Sequence, residues 1–119
     1  VDRGNEHVAD LYDPMHPAVL QLISQLVRTG EEYGVRVSLC GEMASEPIYL
    51  PILVGLGLRE ISVSPQLIPE VKQVIRNLLD YEVRILTERC LTMSDGDSIT
   101  RELRLWAVEH LPEVALRLP

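Results

Sequence analysis

The stretch Val35-Arg36-Val37-Ser38-Leu39-Cys40-Gly41-Glu42-Met43 decides how the chain is read. Its first six residues alternate, with Val35, Val37 and Leu39 on one face and Arg36, Ser38 and Cys40 on the other. That is the period-2 signature of a half-buried strand. Gly41 then lets the backbone turn, and Glu42 puts a carboxylate beside the thiol. A strand ending in a reactive side chain, then a glycine turn, then a helix, is how a parallel α/β sheet presents chemistry at its carboxyl edge. Spacing alone favours a plainer reading, in which a small, weakly polar Cys40 packs at a strand end.

On either side of this stretch the pattern alternates between helix and strand. Residues 1–15 read as loop and short turns, punctuated by Asp13-Pro14 and His16-Pro17. A helix is predicted from Pro17 to about Tyr33. His16 or Asp13 serves as its cap, and Pro17 suits its first position. Val19, Leu22, Ile23, Leu26 and Val27 form its apolar stripe, and Gly34 closes it. After Cys40 a helix from about Pro47 to Leu56 is apolar almost all round, so most of its sides must be buried. The run Glu60-Ile61-Ser62-Val63-Ser64 then repeats the alternation of the first strand. Matched phase and an intervening helix predict two neighbouring parallel strands, with Cys40 and Ser64 at the same end.

Three more helices are predicted. One runs from about Pro69 to Leu79, and one from Asp80 to Leu91 with Val83, Leu86 and Cys90 on its apolar side. The third, from Ile99 to Leu111, is built around Leu103, Trp106 and Ala107 and closed by Pro112, after a polar loop over 93–97. The order indicates βα units, hence an α/β fold with a parallel sheet. A closed (β/α)8 barrel takes roughly 200–250 residues, so a chain of this length has room for about a quarter of one.

Composition narrows the classes further. With 46% hydrophobic residues in 119, a packed core is feasible. The net charge of −7 argues against nucleic acid, whose phosphates require a basic surface. An anionic small molecule stays open, because one arginine can bind a phosphate. Cys40 and Cys90 form no CxxC pair and have no histidine at ligand spacing, which argues against a zinc site or disulfide framework and fits a reducing compartment. No apolar run approaches the ~20 residues of a membrane span. The opening Val1-Asp2-Arg3-Gly4-Asn5 has neither Met nor a signal peptide's regions, so the chain is expected to be a piece of a larger protein.

Three stretches carry a resemblance: Val1-Asp2-Arg3-Gly4-Asn5, Leu11-Tyr12-Asp13-Pro14-Met15-His16-Pro17-Ala18-Val19-Leu20 and Leu39-Cys40-Gly41-Glu42-Met43-Ala44. Together they resemble the C-terminal barrel of Enzyme I, the phosphoenolpyruvate–protein phosphotransferase family of bacterial phosphotransferase systems. Gly55-Leu56-Gly57-Leu58-Arg59-Glu60-Ile61-Ser62-Val63-Ser64 and Ile68-Pro69-Glu70-Val71-Lys72 fit it as well. Pyruvate phosphate dikinase and phosphoenolpyruvate synthase share the Cys-Gly-Glu turn, but the other stretches look more like Enzyme I.

The resemblance implies a partial (β/α)8 TIM barrel: residues 1–119 as the C-terminal fragment of a phosphoenolpyruvate-utilising barrel domain, its last two βα units plus extra C-terminal helices. It implies phosphoenolpyruvate and pyruvate as substrate and product, with Mg2+ held by ligands outside this chain. It also implies transfer of the phosphoryl group to an enzyme histidine and onward to a histidine-containing phosphocarrier protein, a cytoplasmic location and a homodimer. Cys40 matches the acid that protonates the enolate of pyruvate, and Arg3 matches an arginine that contacts the substrate phosphate. Chemistry supports both, since a thiol with pKa ~8.5 can give a proton to carbon and a guanidinium pairs with phosphate. Gly41 and Glu42 are placed at the substrate. Glu42 either orients the thiol or a substrate water, or caps or salt-bridges the next helix.

Departures accompany the match. The family's Asn-Asp metal pair would precede Val1, and no phosphohistidine motif surrounds His7, His16 or His110. Ser45 and Glu46 stand where glycine and aspartate are usual. The isolated chain is therefore expected not to catalyse. The alternative expectation is a non-catalytic dimerisation or interaction module from the same barrel. Two open strand edges and the apolar helix from 48 to 56 predict exposed surface that recruits a partner. Cys90 and Trp106 read as core, His16 as a helix cap, and His7 and His110 as surface residues. Arg84, Arg89, Arg101 and Arg104 read as solvated helix faces.

Overall fold

The computed structural model describes residue 2 and residues 4–118. Helix α1 (Pro17–Tyr33) begins and ends where the sequence predicts. The His16 side chain accepts the Ala18 N–H at 3.1 Å, Pro17 occupies the first turn, and Gly34 closes the helix at φ 67°. Leu20, Val27 and Gly30 face inward, and the predicted apolar stripe is corrected at Leu22 and Leu26, which are exposed.

Where two strands were predicted, the described residues form a single parallel bridge between Leu39 and Ile61 and no strand. The Leu39 N–H donates to the Glu60 carbonyl at 3.0 Å, and the Ser62 N–H donates to the Leu39 carbonyl at 2.8 Å. The segments are neighbours and parallel as predicted, so Cys40 and Ser62 leave the bridge at the same end. Their extents, 35–40 and 60–64, are corrected to this one contact. The flanking helix ends explain the loss. The Val35 N–H closes α1 on the Gly30 carbonyl at 2.8 Å, and the Ser64 carbonyl takes the Leu67 N–H at 2.9 Å to start a turn. Only the middle of each segment is left to pair, and a parallel pair is the weaker kind of ladder.

The segment after Cys40 is divided into α2 (Glu42–Ser45), a 3-10 turn (Pro47–Tyr49) and α3 (Leu50–Gly55). Pro51 has no N–H to continue an α-helical ladder from Pro47, whose carbonyl instead receives the Leu50 N–H in the tighter turn. Next come α4 (Ile68–Arg76), α5 (Asp80–Leu91), α6 (Gly96–His110) and α7 (Pro112–Ala115). Helix α4 stops three residues short of its predicted end. There the Asn77 side chain donates to the Gln73 carbonyl at 2.9 Å and the backbone tightens into i→i−3 bonds. Helix α6 starts three residues earlier than predicted because Asp95 caps it, accepting the Ser98 N–H at 2.7 Å and the Ser98 hydroxyl at 2.9 Å. The Ser98 N–H is the main reason the Asp95 carboxyl lies below the usual range.

The expectation that part of the segment around α3 is left exposed is overturned. Leu50, Pro51, Ile52 and Leu53 are buried in α3, as are flanking Ile48 and Leu56. Helix α5 covers them, contributing Val83, Leu86 and Cys90 to the main core, while Leu103, Trp106 and Ala107 arrive from α6. A smaller cluster of Val27, Leu53 and Leu58 lies under the bridge and packs against Val37, Leu39 and Ile61.

Gly55 sets how closely α3 and α5 approach. A Cβ there would stand 2.5 Å from the Val83 carbonyl and inside the van der Waals contact of the Thr87 hydroxyl. Backbone cannot step aside as a flexible side chain can, so Gly55→Ala is expected to destabilise the chain by about 1–3 kcal/mol despite alanine's better helix propensity. Urea unfolding followed by circular dichroism measures this, and an unchanged or raised midpoint would contradict the packing described.

Candidate functional site

The bridge delivers Cys40 to the surface. Leu39 is held on both its N–H and its carbonyl, and Cys40, the next residue, is exposed. Gly41 follows at φ 96°, ψ −172°, with no heavy atom within 4 Å of where a Cβ would stand. Space is therefore not what demands glycine here; the positive φ is. The turn leads into α2, whose first residue is Glu42 and whose Ser45 hydroxyl lies 3.4 Å from the Gly41 carbonyl.

The segment before α1 approaches from the other side. The Asp13 carboxylate accepts the Met15 N–H at 3.2 Å, closing a turn that sinks Met15 fully into the core. An open depression of about 400 Å3 results, with Tyr12, Asp13 and Pro14 on one side and Cys40, Gly41 and Glu42 on the other. Two of the stretches singled out in the sequence thus share one wall-to-wall site, brought together across the amino end of α1. Tyr49, which does not line the depression, has its phenol pushed up by burial first and then by Glu46 and Tyr12, while Arg104 of α6 pulls the other way. Only tertiary packing brings Tyr49 and Arg104 into reach of Tyr12 and Asp13, and no local sequence signal announces it.

Other predicted residues fall as follows. Arg3 lies outside the described residues. Cys90 is fully buried on α5; burial, with Glu102 adding to it, pushes its thiol up from 9.0 to about 11. His7 and His16 are exposed, but the surface reading of His110 is corrected. His110 is half-buried, stacked on Trp106 at 4.1 Å between ring centroids with its Nδ1 3.0 Å from the Trp106 carbonyl. One helical turn separates the two rings, so the spacing was visible although the stack was not. The α5 and α6 arginines are exposed as predicted, with Arg89 also paired to Glu102 across the two helices. Among the described residues no three His, Cys, Asp or Glu side chains gather where a metal ion could be held. The Mg2+ implied by the resemblance therefore finds no fit here, and no step below is routed through it.

Residues 1–79, which carry both sides of the depression, match the family described as PEP-utilising enzyme, PEP-binding domain. The chain belongs to this family. It is 39% identical over 104 residues to a phosphoenolpyruvate-protein phosphotransferase of Cupriavidus necator, covering 87% of this chain and 18% of the relative. The protein of the same name in Haemophilus influenzae is 37% identical over 108 residues, 88% of this chain and 19% of its own length. Multiphosphoryl transfer protein 1 of Escherichia coli is 46% identical over 110 residues, 92% of this chain and 13% of its length. These relatives bear out the resemblance to Enzyme I, and the chain spans less than a fifth of each of them. Among the described residues no helix is long and apolar enough to cross a membrane.

Burial makes a direct test available. Iodoacetamide at pH 8 on the native chain is expected to modify Cys40 first and leave Cys90 protected, as read by peptide mass mapping. The folded Cys90 holds its proton more tightly than the unfolded chain does. Its contribution to stability is therefore present below about pH 9 and is lost as pH rises toward 11. Earlier labelling of Cys90 contradicts both placements.

Proposed function

We propose that this chain is the C-terminal part of the phosphoenolpyruvate-binding barrel of a longer phosphoenolpyruvate-protein phosphotransferase, with the depression between Tyr12–Pro14 and Cys40–Glu42 at its substrate site. The single observation that carries this reading is the exposed Cys40 thiol. It stands at the shared end of two parallel-bridged segments, inside the region that matches a phosphoenolpyruvate-binding family. In this reading the bridged segments belong to the last two βα units of a (β/α)8 barrel. The remaining strands, the Mg2+ ligands and the phosphorylated histidine come from the rest of the longer polypeptide.

Transfer breaks the P–O bond of phosphoenolpyruvate, forms a P–N bond to a histidine on another domain, and leaves the enolate of pyruvate. Cys40 gives its S–H proton to the enolate carbon, producing the methyl group of pyruvate, and solvent reprotonates the thiolate. Arg3 binds the substrate phosphate, Gly41 keeps the turn open to it, and Glu42 stands beside the thiol. The phosphoryl group then passes to a histidine-containing phosphocarrier protein. The cytoplasm, where thiols stay reduced, suits an acid of this kind.

In the longer polypeptide, Cys40→Ala is expected to lower pyruvate formation by about 10²–10⁴-fold, the usual contribution of a positioned acid, while phosphoenolpyruvate still binds. The chain by itself is expected to release no pyruvate. Turnover unchanged by Cys40→Ala in the longer protein overturns the assignment of the acid.

A second reading, that the segment serves mainly for dimerisation, is favoured by one feature. Leu22, Leu26 and Tyr33 line a single face of α1 and are 60%, 59% and 72% exposed. Light scattering on a sizing column is expected to show a dimer that Leu26→Glu dissociates. A monodisperse monomer at micromolar concentration removes this reading.

A further inference from the structure

The depression has a wall that is anchored from outside the family-matched region. Helix α6 begins at Gly96, which is buried, and a Cβ built there would stand 2.6 Å from Cγ of Asp13 and nearer still to both carboxylate oxygens. Asp13 therefore rests directly on the first turn of a fifteen-residue helix. The same carboxylate accepts the Met15 N–H, so one side chain both closes the 13–15 turn and seats that turn against α6. A carboxylate at the amino end of a long helix is also favoured by the helix dipole. Asp13, Tyr12 and Arg104 of α6 all act on the Tyr49 phenol, which places the wall and α6 within electrostatic reach of one another.

We infer that Asp13 is a positioning residue that ties the wall of the Cys40 depression to the amino end of α6, through a contact that only glycine at position 96 admits. Sequence around α6 thereby controls the surroundings of a thiol more than fifty residues away in the chain. The inference deepens the proposed function and rests on it for its catalytic meaning, but its geometry stands without substrate.

The test is the rate of Cys40 alkylation by iodoacetamide on the full chain, followed against pH well below the melting transition. Gly96→Ala leaves the Asp13 carboxylate no room on the first turn of α6, and a charge shifted toward the depression that Asp13 also lines disfavours a thiolate there. Alkylation is expected to slow about three-fold or more. In an Asp13→Ala background the same Gly96→Ala change is expected to have no effect. Equal slowing in both backgrounds, or no slowing in the folded Gly96→Ala variant, overturns the inference.

Should Gly96→Ala fail to fold, Asp13→Ala alone decides. Removing the carboxylate unties the wall from α6, and the alkylation rate is expected to change about three-fold or more; an unchanged rate overturns the role. A purely structural Asp13 would lower the melting temperature without changing that rate. Phosphoenolpyruvate is absent throughout, so failure here leaves the Cys40→Ala result untouched, and the reverse also holds.

Discussion

Burial of α3 is the constraint on which the rest of the molecule depends. Six residues with no charged side chain, flanked by Ile48 and Leu56, are costly to leave in water, and the described residues form a single bridge and no sheet to hide them under. It wraps them in helices instead. Helix α5 presses across one side, where Gly55 removes the side chain that would hold the backbones apart. The Leu53 side chain faces the other way and joins Val27 and Leu58 beneath the bridge. So close a crossing leaves little room for polar groups. Thr87, at the point of contact, has its hydroxyl buried without a hydrogen-bond partner among the described residues, a penalty of about 1–3 kcal/mol that the packing must offset.

The site follows from that wrapping. The segments entering and leaving the α3 region run side by side because both must pass over the Val27–Leu53–Leu58 cluster. Their contact through Leu39 and Ile61 holds the residue before Cys40 from two directions. Chemistry then sits one residue beyond the last anchored position, on a glycine turn whose positive φ aims the backbone away from the core. On the far wall the arrangement is similar: Met15 is fully buried, and the half-buried Asp13 two residues earlier faces the depression. Cys40 thus follows a half-buried, hydrogen-bonded Leu39, and Asp13 precedes a fully buried Met15 by two residues, so both groups are placed without being buried.

Much of this was legible in the sequence, and the reasons differ by element. The bounds of α1 and α5 could be read because local signals sit at both ends: His16-Pro17 and Gly34 for one, and a clean apolar face starting at Asp80 for the other. The start of α6 was missed because Asp95-x-x-Ser98 lay inside what looked like a polar loop, although an aspartate cap is a local signal and was there to be found. The strand extents failed for a nonlocal reason. Alternation records which side of a segment faces the core, and it did so for Val37 and Leu39 but not for exposed Val35; it says nothing about whether a partner is free to pair. Cys40, Gly41 and Glu42 were legible together as a strand end and turn. Tyr49, Arg104 and the Asp13–Gly96 contact were not, since each exists only after α6 has docked against residues far from it in the chain.

The Leu39–Ile61 bridge has a bearing on motion as well as placement. It consists of two hydrogen bonds between residues more than twenty positions apart, whereas the helices beside it hold themselves together through neighbours. Contacts that close long loops form late and reopen first, and small openings of this kind do not require the core to melt. The bonded amides of Leu39 and Ser62 are therefore expected to exchange with solvent faster than those in the interior of α5 and α6. Cys40 follows directly on this contact, so the backbone that carries the thiol opens locally before the helical core does.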